Sequence, residues 1–344
     1  MRPLVSRTAV YRRRVLTRPD DLPDEALVST IRGGWNFTIA SIDYCAVGFG
    51  SHHWDVVDAR GDRRFVTVDD LRAKRLALDE GEDAAFARLH AALATAHDLR
   101  RAGYDFVVAP IPTTARAPVV RIDRRYAVAL YPYVDGEHFD WGEFASPAHL
   151  RGLLDMVVAL HAAPTTAALH ARTDDFAIPQ RDELELTIGV DGEVVDSGPY
   201  AARARTLLTR HAAIIRRLLE TYDDLVRDTR RASGPMVLTH GEPHAGNTML
   251  AADGWKLIDW DTVLLAPPER DLWSLDPGDG SVIDAYAQAT GTTPQPSVLD
   301  LYRVRWDLAE IAEYTSHFRA PHSTGADDEK SWAELHEIVT GLHP

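Results

Sequence analysis

Between Met236 and Asp261 the chain reads MVLTHGEPHAGNTMLAADGWKLIDWD, and Glu242, Asn247, Asp259 and Asp261 bring carboxylate and carboxamide oxygens close together. Such oxygens suit a hard divalent cation, with one carboxylate left over to accept a proton. Val237-Leu238-Thr239 reads as a short strand, and Gly241, Pro243 and Gly246 then break any helix. Thr248-Met249-Leu250 reads as a second strand, Asp253-Gly254 as a hairpin turn, and Lys256-Leu257-Ile258 leads into Asp259-Trp260-Asp261. The segment therefore gathers its polar groups at the ends of short strands. His240, Glu242 and His244 could also be metal ligands, but Gly and Pro deny them the single helix face that zinc proteases use. A polar hairpin cap without chemistry is the other plain reading.

The spacing sharpens the choice. Kinase-like phosphotransferases place an acid and, five residues later, an Asn, with an Asp at the end of the next hairpin completing a metal site. Glu242 and Asn247 are five apart and Asp259 follows the hairpin. His240-Gly241-Glu242-Pro243-His244-Ala245-Gly246-Asn247 resembles the catalytic loop of the aminoglycoside phosphotransferase family, and Ile258-Asp259-Trp260-Asp261 resembles its metal-binding segment. Ala266-Pro267-Pro268-Glu269-Arg270-Asp271-Leu272 continues the likeness, most of all to the spectinomycin-type branch. The resemblance implies an α+β, two-lobed protein-kinase-like fold with an antiparallel-sheet N-lobe and a mainly helical C-lobe. It implies transfer of the γ-phosphoryl of ATP or GTP to a hydroxyl of a small molecule, an aminoglycoside-like or other hydroxylated antibiotic. Glu242 would be the base, Asn247 and Asp259 would hold Mg2+, and Asp261 would be a further ligand or support one. The family has Asp where this chain has Glu242.

At 344 residues the chain can hold two lobes, and 45% hydrophobic and 26% charged residues are ordinary for a globular protein. A formal net charge of −15 disfavours nucleic acid as a partner. It suits a cationic acceptor, or marks a plain acidic surface. Cys45 is the single cysteine, which precludes an internal disulfide and agrees with a cytoplasmic location. No apolar run reaches the roughly 20 residues of a membrane helix, so no membrane partner is expected. Six Arg and no acid fall in the first 18 residues, which read as a basic tail within residues 1–23.

The expected N-lobe spans 1–134. Asp24 to Trp35 reads as a helix stopped by Gly33-Gly34. Strands at Phe37–Val47 and Trp54–Val57 flank a turn whose Gly48, Gly50 and Ser51 would let backbone N–H groups approach phosphates; an ordinary hairpin turn explains them equally well. His53 stands where a kinase glycine loop has its third glycine. In the next strand, Arg64 to Val68, the resemblance implies a phosphate-binding Lys at the position of Thr67. Lysine occurs only at Lys74, Lys256 and Lys330, so Lys74 is the substitute within this half, against a solvated surface Lys. Arg63 lies about 13 Å back along the strand. Asp79 to Arg101 reads as a long helix, where Glu82 is either the family's lysine-pairing glutamate or a capping carboxylate. Val107-Val108, Val119–Ile122 and Tyr126–Val134 read as strands. Ala129-Leu130-Tyr131-Pro132-Tyr133-Val134 resembles the family's hinge, where backbone around Tyr131 and Tyr133 would hydrogen-bond a purine.

The C-lobe is expected over 135–344. Leu150 to His161 forms a helix stripe with His161 structural, residues 165 to 199 read as irregular and acidic, and Tyr200 to Arg231 as one long helix. Helices follow at Ser281–Ala289, Ser297–Phe318 and Asp327–Val339. Asp307, Glu310 and Glu313 share one side of the second, as a solvated face or as a site for ammonium groups. The rival to an enzyme is a catalytically silent nucleotide-binding protein, since Thr67 and Glu242 occupy the two most important charged positions.

Overall fold

The computed structural model describes residues 17–47, 50–167, 169–189 and 196–342. Gly48 of the expected glycine turn and most of the basic tail lie outside the described residues. The N-lobe begins with α1 (Asp24–Trp35), whose acidic first turn, Asp24 and Glu25, suits the positive end of the helix dipole. Then come β1 (Ile39–Cys45), β2 (Ser51–Asp58), β3 (Arg63–Asp70), α2 (Glu82–Arg101), β4 (Val120–Arg121) and β5 (Tyr126–Pro132). The strands form one antiparallel sheet in the order β1-β2-β3-β5-β4.

Alternation along these strands makes two faces. Trp54, Val56, Val66, Val68, Val128 and Leu130 pack under Leu27 and Ile31 of α1. Ala127 and Ala129 face Leu89 and Leu93 of α2. The register sets His53 opposite Thr67 and Thr67 opposite Ala129, so Ser51, His53, Phe65, Thr67, Asp69 and Tyr131 share the second face. That face turns toward the rest of the chain, because Ala96 and Leu99 of α2 pack with Val157, Leu160, Leu257 and Trp260.

The C-lobe continues through β6 (Gly136–His138), α3 (Pro147–His161), β7 (Arg172–Thr173), α4 (Arg181–Ile188), α5 (Ala201–Arg210), α6 (Ala212–Ala232), β8 (Val237–Thr239), β9 (Thr248–Ala251), β10 (Gly254–Leu257), β11 (Leu264–Ala266), α7 (Glu269–Leu272), α8 (Ser281–Thr290), α9 (Pro296–Arg319) and α10 (Ala326–Gly341). β6 pairs with β9, so the chain entering this lobe is stitched at once to the β9–β10 hairpin. Helices α4, α5, α6, α9 and α10 enclose the largest apolar cluster, which includes Leu184, Leu208, Ile215, Leu308, Ile311 and Leu335. Each such side chain contributes about 1.5–3 kcal/mol on full burial. Among the described residues no helix is long and apolar enough to cross a membrane.

Three expectations need correction. The long helix from Tyr200 to Arg231 is two helices meeting at His211, whose backbone, at φ −100° and ψ 9°, leaves the helical conformation. The segment from 165 to 199 is not wholly irregular: β7 pairs in parallel with β11, and α4 buries Leu184 and Ile188 one turn apart. Val107-Val108 is no strand, only a single bridge from Val107 to Leu257.

Candidate active site

The loop after β8 is fixed from below by buried polar groups. Thr239 and His240 have no solvent exposure. Asp271, also fully buried, accepts the backbone N–H of His240 at 2.8 Å and of Gly241 at 2.6 Å. His161 Nε2 lies 3.1 Å from the same carboxylate, and its Nδ1 lies 2.9 Å from the Tyr286 hydroxyl, so His161 is structural as expected. Burial works against the Asp271 charge, but these donors and the Arg270 guanidinium hold its carboxyl below the usual carboxylate range. Arg270 donates to Thr239 Oγ1 and to the Thr262 carbonyl, and Thr262 Oγ1 donates to the His240 carbonyl. Gly241, at φ +100°, is needed twice over: a Cβ there would lie 2.4 Å from Arg270 Nη2.

His240 reads the next hairpin. Its Nε2 lies 2.9 Å from the Ile258 carbonyl and its Nδ1 3.3 Å from the Glu242 N–H. A carbonyl only accepts, so Nε2 carries the proton and Nδ1 accepts. Burial pushes the His240 pKa down and keeps the ring neutral. Trp260 packs its ring edge-on to His240 at 4.8 Å and donates to the Leu257 carbonyl. A second brace comes from α3. His149 accepts the Ala145 N–H, its Nε2 lies 2.6 Å from Thr248 Oγ1, and Thr248 donates to the Ala245 carbonyl.

On this base the loop presents its chemistry. Glu242 is 9% exposed, and its carbonyl accepts both the His244 N–H and the Asn247 side-chain N–H, at 2.9 and 3.0 Å. With its nitrogen so engaged, Asn247 aims its carbonyl oxygen the other way. The Ile258 N–H bonds the Asn247 backbone carbonyl, which seats the next hairpin's end beside the loop and leaves the side-chain oxygen out of that bond. Asp259 then adopts a left-handed conformation, φ 66° and ψ 61°, and is exposed. That conformation costs a non-glycine residue about 1–2 kcal/mol. Asn247 and Asp259 thus supply a carboxamide and a carboxylate oxygen, the donors a hard cation prefers. Among the described residues no group of three or more His, Cys, Asp or Glu could hold a metal. A two-donor site fits Mg2+, which keeps several waters and takes further oxygens from phosphates.

Lys74 faces this hairpin from the N-lobe. Its Nζ lies 2.6 Å from Asp261 and 3.0 Å from Asp69 on β3, and its side chain is 22% exposed. Burial opposes the ammonium charge, yet the two carboxylates outweigh it and raise the Lys74 pKa. Ser51, expected in the turn, is the first residue of β2 and donates to Asp69 at 2.6 Å, so it and the lysine share one partner. Burial, with His52 and Lys74 nearby, pushes the His53 pKa down to about 4, so His53 is neutral and supplies no charge to a phosphate. Thr67 sits on the same sheet face as Tyr131, whose phenol pKa is raised by burial and by Asp69, Asp259 and Asp261.

The remaining expected residues fall around this centre. Gly50, at φ +75°, has open space where a side chain would go. The Tyr131 ring packs toward the α2 cluster, while Tyr133 is exposed under the Arg63 guanidinium at 3.7 Å. Arg63 is paired with Asp55 at the far end of the hairpin. Glu82 does not pair with the lysine: it meets Arg72 and Arg124, while Asp69 and Asp261 take its place beside Lys74. Asp271, Arg270 and Asp69 carry roles that no spacing signalled. Of the three acidic residues on α9, Glu310 is buried at 3% exposed while Asp307 and Glu313 are partly exposed, and burial pushes the Asp307 pKa up to about 7.

Comparison with known proteins agrees with this geometry. Residues 56–312 match the phosphotransferase enzyme family. Protein StrN of Streptomyces griseus is 31% identical over 251 residues, covering 69% of this chain and 72% of StrN. A spectinomycin phosphotransferase bound to ADP and spectinomycin superposes with a TM-score of 0.64 at 17% identity, over 92% of this chain and 96% of its own. An amicoumacin kinase in complex with AMP-PNP, Ca2+ and Ami superposes with a TM-score of 0.58 at 11% identity, over 93% of this chain and 92% of its own. At such identities the two structures speak for the kinase-like fold alone. The match over most of the chain and the likeness to StrN go further: this chain belongs to the phosphotransferase enzyme family.

Proposed function

We propose that this protein is a Mg2+-dependent O-phosphotransferase that moves the γ-phosphoryl of ATP or GTP to a hydroxyl of a small acceptor in the cytoplasm. The observation that carries the reading is the convergence of Glu242, Asn247 and Asp259 on one braced loop and hairpin, with the Lys74 ammonium alongside. In this reading the lobes divide between residues 134 and 135. Backbone of the turn at Gly48, Gly50 and Ser51 lies over the phosphates, and backbone around Tyr131 and Tyr133 meets the purine. Asn247 and Asp259 hold Mg2+, which when bound neutralises charge on the phosphate oxygens. Glu242 orients the acceptor hydroxyl and takes its proton as the acceptor oxygen bonds to the γ-phosphorus. The bond from that phosphorus to the bridging oxygen breaks, leaving the nucleoside diphosphate. Lys74 stabilises the triphosphate, which is too anionic for backbone donors and one metal.

The net charge of −15 favours a cationic acceptor, an aminoglycoside-like or other hydroxylated antibiotic. The silent nucleotide-binding alternative is disfavoured because Asn247 and Asp259 are both retained, and metal donors have little use once phosphotransfer is lost. Incubation with Mg2+, ATP or GTP and a panel of hydroxylated antibiotics should yield one acceptor heavier by a phosphate in mass spectrometry. Glu242→Gln should nearly abolish that product and Glu242→Asp should also slow it. The shorter acid retreats by roughly 1.5 Å, one carbon–carbon bond, and a misplacement near 1 Å costs on the order of a hundredfold. Full activity in Glu242→Gln removes it as the base, and no product with either nucleotide favours the silent alternative.

A further inference from the structure

Lys74 lies four residues beyond the end of β3, in a turn segment rather than in a strand. A long, flexible side chain on such a segment loses considerable conformational freedom when held in one place, so something must hold the segment. Two fastenings come from its own lobe. Arg88 of α2 donates to the Lys74 carbonyl at 2.8 Å and pairs with Glu80, which accepts the Leu76 N–H at 2.6 Å.

The others come from the C-lobe. Gln180, the residue before α4, donates its backbone N–H to the Leu76 carbonyl at 2.8 Å and its side-chain amide to the Arg75 carbonyl at 2.6 Å. Asp182, in the first turn of α4, accepts the Leu78 N–H at 2.8 Å. Gln180 is 9% exposed and left-handed at φ 51°. Among the described residues its buried side-chain oxygen has no hydrogen-bond partner. Left-handed backbone and an unsatisfied acceptor both cost free energy, and the contact with Arg75 and Leu76 is what they accompany. α4 itself is packed against α9 in the largest apolar cluster, so the anchor is rigid.

Resting on the assignment of Lys74 to the triphosphate, we propose that Gln180 and Asp182 are positioning residues for the nucleotide. They fasten the 75–78 segment to the C-lobe and so deliver the Lys74 ammonium to the side of the cleft that carries Asp261 and the metal donors. The phosphate-binding charge then belongs to the C-lobe in position, although its residue belongs to the N-lobe in sequence. Movement of the sheet away from the helices would strain the Lys74–Asp69 contact before the Lys74–Asp261 contact. Asp69 therefore guides the ammonium only when the lobes are together.

The test is titration of the full chain with Mg2+ and AMP-PNP or GMP-PNP, against AMP or GMP. Gln180→Met keeps length and removes the donor; Asp182→Ala removes the acceptor. Each should weaken the triphosphate analogue about three- to tenfold, the range of one lost hydrogen bond, and leave the monophosphate unchanged. Neither should weaken the triphosphate further in a Lys74→Met background, because all act through one group. Equal weakening of triphosphate and monophosphate, or additive losses with Lys74→Met, overturns the proposal in favour of a merely structural contact. If Lys74→Met weakens triphosphate binding while Gln180→Met and Asp182→Ala do nothing, the positioning role alone fails. If Lys74→Met itself leaves triphosphate binding unaltered, the assignment of Lys74 fails and the positioning role falls with it.

Discussion

Around Glu242 the backbone is held by buried side chains of its own lobe, while around Lys74 one side chain is held by a segment fastened to a neighbouring lobe. The first arrangement is dense and internal: Asp271, Arg270, His161, His240 and Thr262 leave the loop no second position. The second is sparse, resting on hydrogen bonds from Gln180, Asp182, Arg88 and Glu80. A site built for in-line transfer needs the acceptor-side base fixed within a fraction of an ångström. In the proposed reading both the base and the phosphate-side cation are held on the helical lobe, the first through its own backbone and the second through one tethered segment.

The contrast breaks most severely at Asp271. Asp271→Ala strips the acceptor from two buried N–H groups and from His161, and should cost about 3–5 kcal/mol with complete loss of transfer, read by denaturant melts and product assay. Asp271→Asn sharpens the point through pH. The folded carboxyl is depressed, so its stabilisation is fully present above the unfolded value near 4 and fades as pH falls through the folded value. The gap in stability between wild type and Asp271→Asn should be constant from about pH 5 to 8 and close only below about pH 4. A gap that changes between about pH 5 and 8 would mean that the Asp271 charge is not what carries it.

Next in size is a pair of glycines. Gly241→Ala meets the braced guanidinium of Arg270 in a positive-φ backbone and should cost about 1–2 kcal/mol from strain plus about 1–3 kcal/mol from crowding. Gly254→Ala, at φ +116° with open space around it, should show the strain alone. Equal losses would mean that Arg270 moves aside and the loop is less rigid than its contacts imply.

The smallest expected change in stability is at Asp259. Asp259→Gly relieves about 1–2 kcal/mol of left-handed strain and gives back about 0.4–1 kcal/mol to the unfolded chain. The variant should melt at or slightly above wild type yet lose Mg2+-dependent nucleotide binding by calorimetry. Retained binding would remove Asp259 from the metal site.

Much of this was legible in the sequence because it is local. The strand, loop and hairpin from Val237 to Leu257 follow from Gly and Pro placement, and α1 falls on the expected residues. The five-residue step from Glu242 to Asn247 is visible without coordinates, and the structure shows why it matters: it lets the Asn247 amide reach back to the Glu242 carbonyl. What escaped is what acts at a distance. Asp271 lies about thirty residues from the groups it anchors, and Gln180 lies more than a hundred from Arg75. Two-residue β7 has no periodicity to detect, and the Lys74 partners, Asp69 and Asp261, come together only when β3 and the hairpin after β10 are folded against each other.

The doubly paired Lys74 has a practical consequence for how such a protein would be noticed in a cell. Nucleotide probes that tag kinases by acylating an active-site lysine require the unprotonated amine. At pH 7 an ordinary lysine offers less than about one free amine in a thousand, and the two carboxylates lower that fraction further. An acyl-phosphate nucleotide probe should therefore label Lys74 more slowly than an unpaired lysine, and Asp261→Asn should speed that labelling.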